Sequence, residues 1–293
     1  MKSRDKITVI GAGFVGTTVY DYLSDSADIR LVSKHSQKAT DLCDYGKSVS
    51  ADLISFMRQS KFVIISQGSG DMDWVETFEK EAEKSHVDDL RNFLSALPEI
   101  EGRIVYLSSD NVFTGGSTAE GTVRKCYVSE TPDPSTVYGR LKVTAEKIVM
   151  ERRDTCVMRI PLLISMTESM RNPLYKIAGE LRQQTDSVIH ADSSQVRYPT
   201  YVEDIIDYLM GFKPGEKLIH FSSDKAYTRY DLYCMMNRYL GTGRTILGDG
   251  VYPVDKPGLK TALRTQVQLV NNVDFVFRHP GETGADGFSH FGG

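Results

Sequence analysis

A glycine-rich turn near the N-terminus constrains the fold of this chain more than any other segment. The β-branched run Lys6–Ile10 leads directly into Gly-Ala-Gly-Phe-Val-Gly, and the following residues Thr17–Leu23 contain neither glycine nor proline. In this context of strand, turn and helix, Gly-x-Gly-x-x-Gly binds a dinucleotide, because the turn brings backbone amides against a pyrophosphate. A plain strand-to-helix turn is the alternative. We predict cofactor contacts at Gly11, Gly13, Phe14, Val15 and Gly16.

The rest of the chain alternates between strand-like and helix-like segments. The predicted strands are Ile7–Ile10, Ile29–Val32, Phe62–Ser66, Ile104–Ser108, Thr155–Arg159 and Lys217–Phe221. The predicted helices are Phe14–Leu23, Asp52–Gln59, Trp74–Ala96, Tyr138–Arg152, Pro173–Gln184, Tyr201–Phe212 and Tyr227–Leu240. This alternation predicts an α/β fold with a Rossmann-type, doubly wound parallel sheet. We expect residues 1–164, rejoined by 199–222, to form a dinucleotide-binding domain, and 165–198 with 223–293 to form a smaller substrate-binding lobe and tail.

A tyrosine and a lysine four residues apart carry the first sign of chemistry. Tyr138 and Lys142 follow the proline-containing segment Pro134–Val137, and on a helix they lie on the same face. A neighbouring ammonium lowers the pKa of a phenol, so the pair is predicted to exchange a proton with a hydroxyl or ketone. A solvated pair without function is the alternative.

Polar residues also end one of the predicted strands. The apolar run that begins at Arg103 finishes in Ser108-Ser109-Asp110-Asn111. Ligands of open α/β sheets bind at the carboxyl ends of strands, so a serine here is expected to contact the oxygen that Tyr138 protonates. Alternatively, Ser108 or Asp110 caps the turn after the strand.

Three segments together resemble the extended short-chain dehydrogenase/reductases, and most closely the dTDP-4-dehydrorhamnose reductases. They are the strand end Ser108–Phe113, the helix Val137-Tyr-Gly-Arg-Leu-Lys142 followed by Glu146, and Gln195-Val-Arg-Tyr-Pro-Thr200. The resemblance covers about residues 6 to 210. It implies a catalytic set of Ser109, Tyr138 and Lys142, and a homodimer formed through the helices at Trp74–Ala96 and Tyr138.

The resemblance also implies an activity. The family reduces nucleoside-diphosphate 4-keto sugars in deoxysugar biosynthesis, and the related dehydratases carry a glutamate base where this chain has Asn111. An amide has no usable basicity, which favours simple reduction. The residues expected to bind the nucleotide-sugar substrate are Ser108, Asp110, Asn111, Asn172 and Arg197. For Asn172 a helix N-cap, and for Arg197 a surface salt bridge, are the alternatives.

The second strand bears on the choice of cofactor. It lacks the acid that NAD-preferring folds present to the ribose, and it ends in Ser33 and Lys34, whose hydroxyl and ammonium are expected to bind a 2′-phosphate. NADP(H) is therefore favoured, and NAD(H) is possible. Alternatively, Lys34 is a solvated loop cation. Asp52 follows a short stretch that is expected to form the third strand, and the resemblance implies that Asp52 contacts the adenine, or else caps a helix. Gln67 and Gly68, at the end of the next strand, are expected to line the cofactor.

Composition excludes several classes of function. The formal net charge of −4 leaves no basic footprint for nucleic acid, and no apolar run approaches the roughly twenty residues of a membrane span. The four cysteines are scattered without metal-ligand spacing, so we expect no metal site. With no signal-peptide pattern after Met1, a cytoplasmic enzyme is expected. The glycine-rich tail from His279 is expected to be loose.

Two other functions remain open. One is an NAD-dependent sugar-nucleotide 4-epimerase. The other is a non-catalytic, NADP-binding regulatory subunit with the same fold, a role that some relatives of the reductases have taken. The set Ser109, Tyr138 and Lys142 argues against the second, although a regulatory subunit can retain it.

Overall fold

The computed structural model describes residues 4–115, 123–183, 188–211, 215–249 and 266–281. These residues form two compact units. The first contains Met1–Phe113, Glu130–Arg159 and Phe212–Ile219, and the second contains Thr114–Ser129, Ile160–Gly211 and His220–Gly293. The division departs from the predicted boundaries, because residues 114–129 and most of 199–222 belong to the second unit. Residues 282–293 of the predicted loose tail lie outside the described residues.

The described strands and helices have the following bounds. The strands are β1 (Lys6–Ile10), β2 (Asp28–Ser33), β3 (Asp41–Leu42), β4 (Phe62–Ile65), β5 (Arg103–Leu107), β6 (Arg124–Cys126), β7 (Thr155–Arg159), β8 (Leu163–Ile164), β9 (Val188–Asp192), β10 (Thr200–Tyr201), β11 (Leu218–His220), β12 (Thr245–Asp249) and β13 (Val267–Leu269). The helices are α1 (Phe14–Leu23), α2 (Ala51–Arg58), α3 (Met72–Thr77), α4 (Glu79–Glu83), α5 (Asp89–Ala96), α6 (Val137–Met150), α7 (Pro173–Gln183), α8 (Val202–Gly211) and α9 (Arg229–Leu240).

A seven-stranded sheet forms the centre of the first unit, in the order β11-β7-β5-β4-β1-β2-β3. Neighbouring strands pair in parallel along the sheet from β7 through β5, β4, β1 and β2 to β3. β4 and β7 are buried along their whole length, as expected when helices flank a parallel sheet. The chain builds outward from β1 to β3 and then returns to place β4 on the other side of β1. This reversal confirms the predicted Rossmann-type fold and puts the carboxyl ends of β1 and β4 at the switch point where such sheets bind ligands.

The third strand lies earlier in the chain than the sequence suggested. β3 consists of Asp41 and Leu42, paired with Val32 and Ser33 of β2. Asp52, which was expected to follow this strand, instead lies in the first turn of α2, where Ser50 is the N-cap. The third strand therefore ends at Leu42, ten residues before Asp52.

The predicted single helix Trp74–Ala96 is broken. Phe78 has φ −118° and ψ 58°, which ends α3 and starts α4. A π-helical turn, Lys84–Asp88, then joins α4 to α5 and buries His86 and Val87. Such π turns insert one extra residue into a helix and are frequent at functional sites.

The second unit is built from three two-stranded sheets and the helices α7, α8 and α9. β8 pairs with β10, β9 with β12, and β6 with β13, all in parallel. Thr228 and Asp231 form a reciprocal capping box that starts α9. In the core of the second unit, α7 packs against α9 through apolar side chains, among them Leu174, Ile177, Leu181, Leu232 and Met236. Within the described ranges, no helix is long and apolar enough to cross a bilayer.

Candidate active site

The turn between β1 and α1 closes tightly over its own backbone. Gly11 has φ +106°, and a Cβ there would lie 3.0 Å from the backbone nitrogen of Gln67. A Cβ on Gly16 would collide with the carbonyl oxygen of Gly11. Both positions therefore require glycine. The N-cap of α1 is Gly13, which has no side chain to satisfy the first-turn amides, so these amides fit an anion such as a pyrophosphate.

Helix α6 brings its first turn against the end of β5. Thr136 caps the helix by accepting a hydrogen bond from the Gly139 amide at 2.9 Å. A Cβ on Gly139 would collide with the carbonyl oxygen of Asn111, so glycine permits this close approach. Tyr138, in the same turn, is thereby placed within hydrogen-bonding reach of the Ser109 hydroxyl.

Lys142 lies one turn further along α6 and completes the group. Its Nζ donates a hydrogen bond of 3.0 Å to the carbonyl oxygen of Leu107, the last residue of β5. The same Nζ is 5.8 Å from the centre of the Tyr138 ring. The structure thus brings Ser109, Tyr138 and Lys142 together at the carboxyl end of β5.

Burial dominates the proton affinities of this group. Burial raises the pKa of Tyr138 to about 12, the negative charge of Asp110 adds to the shift, and the hydrogen bond with Ser109 opposes it. Burial also lowers the pKa of Lys142 to about 8, although Glu146 opposes this. The net lowering of the Tyr138 pKa that was expected beside Lys142 is therefore absent, because burial dominates the shift. At neutral pH Tyr138 carries its proton and is suited to donate it.

The residues after Ser109 form a hydrogen-bonded turn. Ser109 donates to Asp110 Oδ1 at 3.0 Å, and the Asn111 amide nitrogen Nδ2 donates to the same Oδ1 at 2.9 Å and to Ser109 Oγ at 3.1 Å. Asn111 Oδ1 is buried and accepts no hydrogen bond from the described residues. Asn111 thus holds Ser109 in place while its own oxygen is left for another donor.

The Ser108 hydroxyl is engaged within the protein. Its buried hydroxyl donates to Glu146 Oε1 at 2.5 Å. Arg159 binds the same carboxylate through Nε at 3.0 Å and Nη2 at 2.7 Å. This hydrogen bond ties the end of β5 to α6 and, through Arg159, to β7, while the predicted contact of Ser108 with the substrate stays a prediction.

Lys34 and Ser33 are also engaged within the protein. Lys34 Nζ lies 2.9 Å from Asp44 Oδ1 and 2.5 Å from Asp89 Oδ2. Burial acts to lower its pKa, but the hydrogen bonds with Asp89 and Asp44 raise it overall. Ser33 Oγ accepts from the backbone amides of the turn that follows. Lys34 and Ser33, which were expected to bind a 2′-phosphate, thus already have partners within the protein. The preference for NADP(H) stays a prediction.

Two further predicted contacts have structural roles in their own units. Asp52 lies in the first turn of α2 and pairs with Arg30 of β2 at 2.6 Å, whereas β3 carries Asp41, which pairs with the same Arg30 at 3.4 Å. Asn172 is fully buried in the second unit. Its Nδ2 donates to the carbonyls of Ser165 and Thr167, and its Oδ1 accepts from the Leu174 amide. The helix-capping alternative is therefore correct for Asn172, and its assignment as a substrate contact is wrong.

Arg197 also lies in the second unit. Its backbone exchanges two hydrogen bonds of 2.8 Å with that of Tyr227, which forms an antiparallel bridge just before β10. This bridge fixes the backbone at the position where the sequence predicts a contact with the substrate diphosphate. The predicted role of its guanidinium stays a prediction.

His86 is a site residue that the sequence analysis missed. It lies in the π turn, where its ring meets Tyr138 edge-on with 5.8 Å between ring centres. Gly68, at the end of β4, has φ +97°, and a Cβ there would overlap the imidazole. A histidine inside a helical pattern carries no signal of this placement, because the π turn that turns it inward arises from packing.

The residues at these strand ends fit a bound dinucleotide. Gln67 Oε1, Asn111 Oδ1 and both ring nitrogens of His86 are buried without a hydrogen-bond partner among the described residues. Each such atom costs about 1–3 kcal/mol unless a ligand or water satisfies it. Together with the glycine turn, they give the site the donors and acceptors that a dinucleotide requires. Among the described residues, no group of three or more His, Cys, Asp or Glu side chains could hold a metal ion.

Comparison with known proteins gives relatives of two kinds. A family model described as the RmlD substrate binding domain matches residues 5–264. Methionine adenosyltransferase 2 subunit beta from Bos taurus is 27% identical over 170 residues, which cover 55% of this chain and 49% of that protein. The protein of the same name from Danio rerio is 23% identical over 139 residues, which cover 45% and 41%. The chain spans about half, or less than half, of the length of the curated relatives that it matches.

Solved structures show the same fold. dTDP-4-dehydrorhamnose reductase from Bacillus anthracis str. Ames, in complex with NADP, superposes with a TM-score of 0.69 at 19% identity, covering 91% of this chain and 90% of that one. UDP-N-acetylglucosamine 4-epimerase from Methanobrevibacter ruminantium M1, in complex with UDP-N-acetylmuramic acid, superposes with a TM-score of 0.73 at 15% identity, covering 99% and 97%. At these identities the likeness concerns the fold.

Proposed function

The chain belongs to the RmlD substrate binding domain family, and we propose that it is a nicotinamide-dependent reductase of a nucleoside-diphosphate 4-keto sugar. The observation that carries this proposal is the grouping of Ser109, Tyr138 and Lys142 at the carboxyl end of β5, beside the glycine turn. The NADP complex of a structural neighbour, a dTDP-4-dehydrorhamnose reductase, supports the same cofactor class.

Each residue of the group has a distinct task in the reduction. A dinucleotide held at the glycine turn would supply the hydride that adds to C4 of the sugar. Tyr138, whose pKa of about 12 keeps it protonated, donates a proton to the oxygen at C4 as negative charge develops there. Ser109 orients that oxygen by hydrogen bonding, and the Lys142 ammonium stabilises the phenolate that remains.

The turn at Asn111 favours reduction over dehydration. Its amide is neutral and cannot remove a proton from carbon, and its Nδ2 is committed to Ser109 and Asp110. Reduction of a ketone requires only a hydride, a proton donor and orientation, all of which the group provides. We propose that Asp110 and Asn111 contact the sugar, and that Arg197 contacts the diphosphate, since a guanidinium binds phosphate through paired hydrogen bonds.

A second candidate function rests on the names of the curated relatives. They are subunits of another enzyme, methionine adenosyltransferase 2. A chain of this kind would bind the dinucleotide without turnover and act by assembling with a catalytic partner. The 4-epimerase alternative receives support from a structural neighbour with that activity and predicts a dinucleotide retained through purification.

One experiment separates these functions. The purified protein is mixed with NADPH or NADH and a panel of 4-keto sugar nucleotides, and the loss of nicotinamide absorbance is followed together with product formation. The reductase proposal expects stoichiometric oxidation of the dinucleotide that Tyr138→Phe abolishes. Binding of the dinucleotide with equal, background-level oxidation by wild type and Tyr138→Phe would refute the reductase and favour the subunit.

We also propose that the protein is a cytoplasmic homodimer. Light scattering of the purified protein tests the oligomeric state.

A further inference from the structure

His86 is almost entirely enclosed beside the proposed catalytic group. Its side chain is 2% exposed, and its ring lies perpendicular to that of Tyr138. The edge of the imidazole that carries Nδ1, Cε1 and Nε2 occupies the volume that a side chain on Gly68 would fill. The charge of Lys142 is near enough to affect its protonation. Tyr138 and Lys142 of α6 and Gly68 after β4 thus lie around one polar ring.

The only polar contact recorded for this ring among the described residues is a weak one with the backbone of Ser69. Neither Nδ1 nor Nε2 makes a hydrogen bond of normal geometry within the part of the chain that the structure describes. Burial and the positive charge of Lys142 lower the pKa of His86 to about 3, while the Ser69 backbone opposes the shift. The imidazole is therefore neutral at physiological pH and offers one donor and one acceptor.

We propose that His86 is a binding residue that hydrogen-bonds a neutral hydroxyl or amide group in the nicotinamide half of the dinucleotide. This inference rests on the proposed function, because Tyr138 must lie beside the nicotinamide to protonate the substrate, and His86 contacts Tyr138. A hydroxyl or amide matches a ring with one donor and one acceptor. A phosphate does not, since it offers only acceptors and is bound best by cations.

Simple packing would be served better by an apolar ring. A buried imidazole without partners destabilises the protein, and a phenyl ring in the same volume would not. The missing side chain of Gly68 makes room for a ring without requiring that the ring be polar, so this contact does not explain the histidine. Packing and ligand binding therefore predict opposite results for replacement by phenylalanine.

The test compares dinucleotide affinity with the stability of the ligand-free protein. In His86→Phe, the Kd for NADPH and for NADH is expected to rise roughly 5- to 150-fold, equivalent to about 1–3 kcal/mol. The Kd for ADP, which lacks the nicotinamide half, is expected to stay unchanged. The melting temperature without ligand is expected to stay the same or to rise. His86→Gln keeps a donor and an acceptor, and is expected to recover part of the affinity.

Two further variants keep the test decisive. His190→Phe removes an exposed imidazole in the second unit and is expected to leave all three affinities unchanged. His86→Leu makes the same deletion with a smaller side chain, in case His86→Phe does not fold. Affinities measured by fluorescence titration or calorimetry need no turnover, so they apply whether or not a substrate is known.

The outcomes are distinguishable from failure of the proposed function. Unchanged NADPH and NADH affinities in the folded variants would overturn the inference and leave His86 as a packing residue. An equal loss of ADP affinity would also overturn it, because the effect would then lie at the adenosine half. A wild type that binds dinucleotide but reduces no 4-keto sugar refutes the reductase while leaving the role of His86 measurable. A wild type that binds neither dinucleotide overturns both.

Discussion

Two groups of polar side chains in the first unit differ in how their hydrogen-bonding capacity is used. At the edge formed by β2 and β3, Lys34 is paired with Asp44 and Asp89, and Arg30 with Asp41 and Asp52. At the carboxyl ends of β4 and β5, by contrast, Gln67, His86 and Asn111 keep buried atoms without partners among the described residues. The first group is held together by ion pairs within the protein, whereas the second keeps hydrogen-bonding capacity that a ligand could use.

The difference also appears in protonation. At the strand ends, burial shifts the pKa values of Tyr138, Lys142 and His86 in the direction that favours the neutral form of each side chain. At the β2–β3 edge, hydrogen bonds with carboxylates keep Lys34 charged. Strongly shifted, enclosed groups are typical of sites that perform chemistry, and paired charges are typical of structure. Four predictions test this contrast.

The largest effect is expected at Tyr138. Tyr138→Phe removes the proton donor but keeps the ring that His86 and Lys142 contact, so turnover should fall on the order of 10²–10⁴-fold while dinucleotide affinity is retained. Steady-state rates and binding titrations measure the two quantities separately. Retention of most activity would remove the basis for assigning chemistry to this end of the sheet.

The buried ion pair behind the site is expected to affect stability. Glu146→Gln leaves Arg159 buried without its counter-charge, and should lower the free energy of unfolding by about 3–5 kcal/mol, as measured by urea denaturation. Glu180→Gln is the matched control, because Glu180 pairs with Arg229 at an exposed position and its loss should cost no more than about 1 kcal/mol. Similar losses in both variants would contradict the distinction between buried and exposed pairs.

The pH dependence of stability is expected to identify His86. Its folded-state pKa of about 3 lies below the ordinary value of 6.5, so the unfolded chain binds an extra proton between these values. Stability is therefore present in full above pH 6.5 and falls as the pH is lowered toward 3, by up to about 1.4 kcal/mol per pH unit from this residue. His86→Phe should flatten that part of the curve. Parallel curves for wild type and variant would show that His86 titrates normally.

The smallest effect is expected at the β2–β3 edge. Asp89→Asn releases Lys34 from one of its two carboxylates, and should increase the preference for NADPH over NADH by a factor of up to about five. Asp41→Asn removes the same charge from Arg30 instead and is the control. Equal ratios of the two affinities in wild type, Asp89→Asn and Asp41→Asn would mean that Lys34 takes no part in cofactor choice.

Local sequence patterns predicted the elements whose ends are set by neighbouring residues. Phe14–Leu23 begins after the glycine turn and matches α1 at both ends, and Thr155–Arg159 matches β7. β3 was placed too late because a two-residue strand has no periodicity of its own. The helix predicted from Trp74 to Ala96 was wrong in the middle, where the backbone at Phe78 and the π turn interrupt the pattern.

The candidate site divides in the same way. The sequence by itself determined the glycine turn, the strand end at Ser109 and the i, i+4 spacing of Tyr138 and Lys142, because these depend on residues that are close along the chain. Only the tertiary structure decided which polar groups remain available. Asp89 accepts a hydrogen bond from Lys34, which is 55 positions away in the sequence, and Glu146 accepts one from Ser108, which is 38 positions away. Partners so distant in sequence leave no local pattern, and burial, which sets the protonation of Tyr138, Lys142 and His86, exists only once the chain has packed.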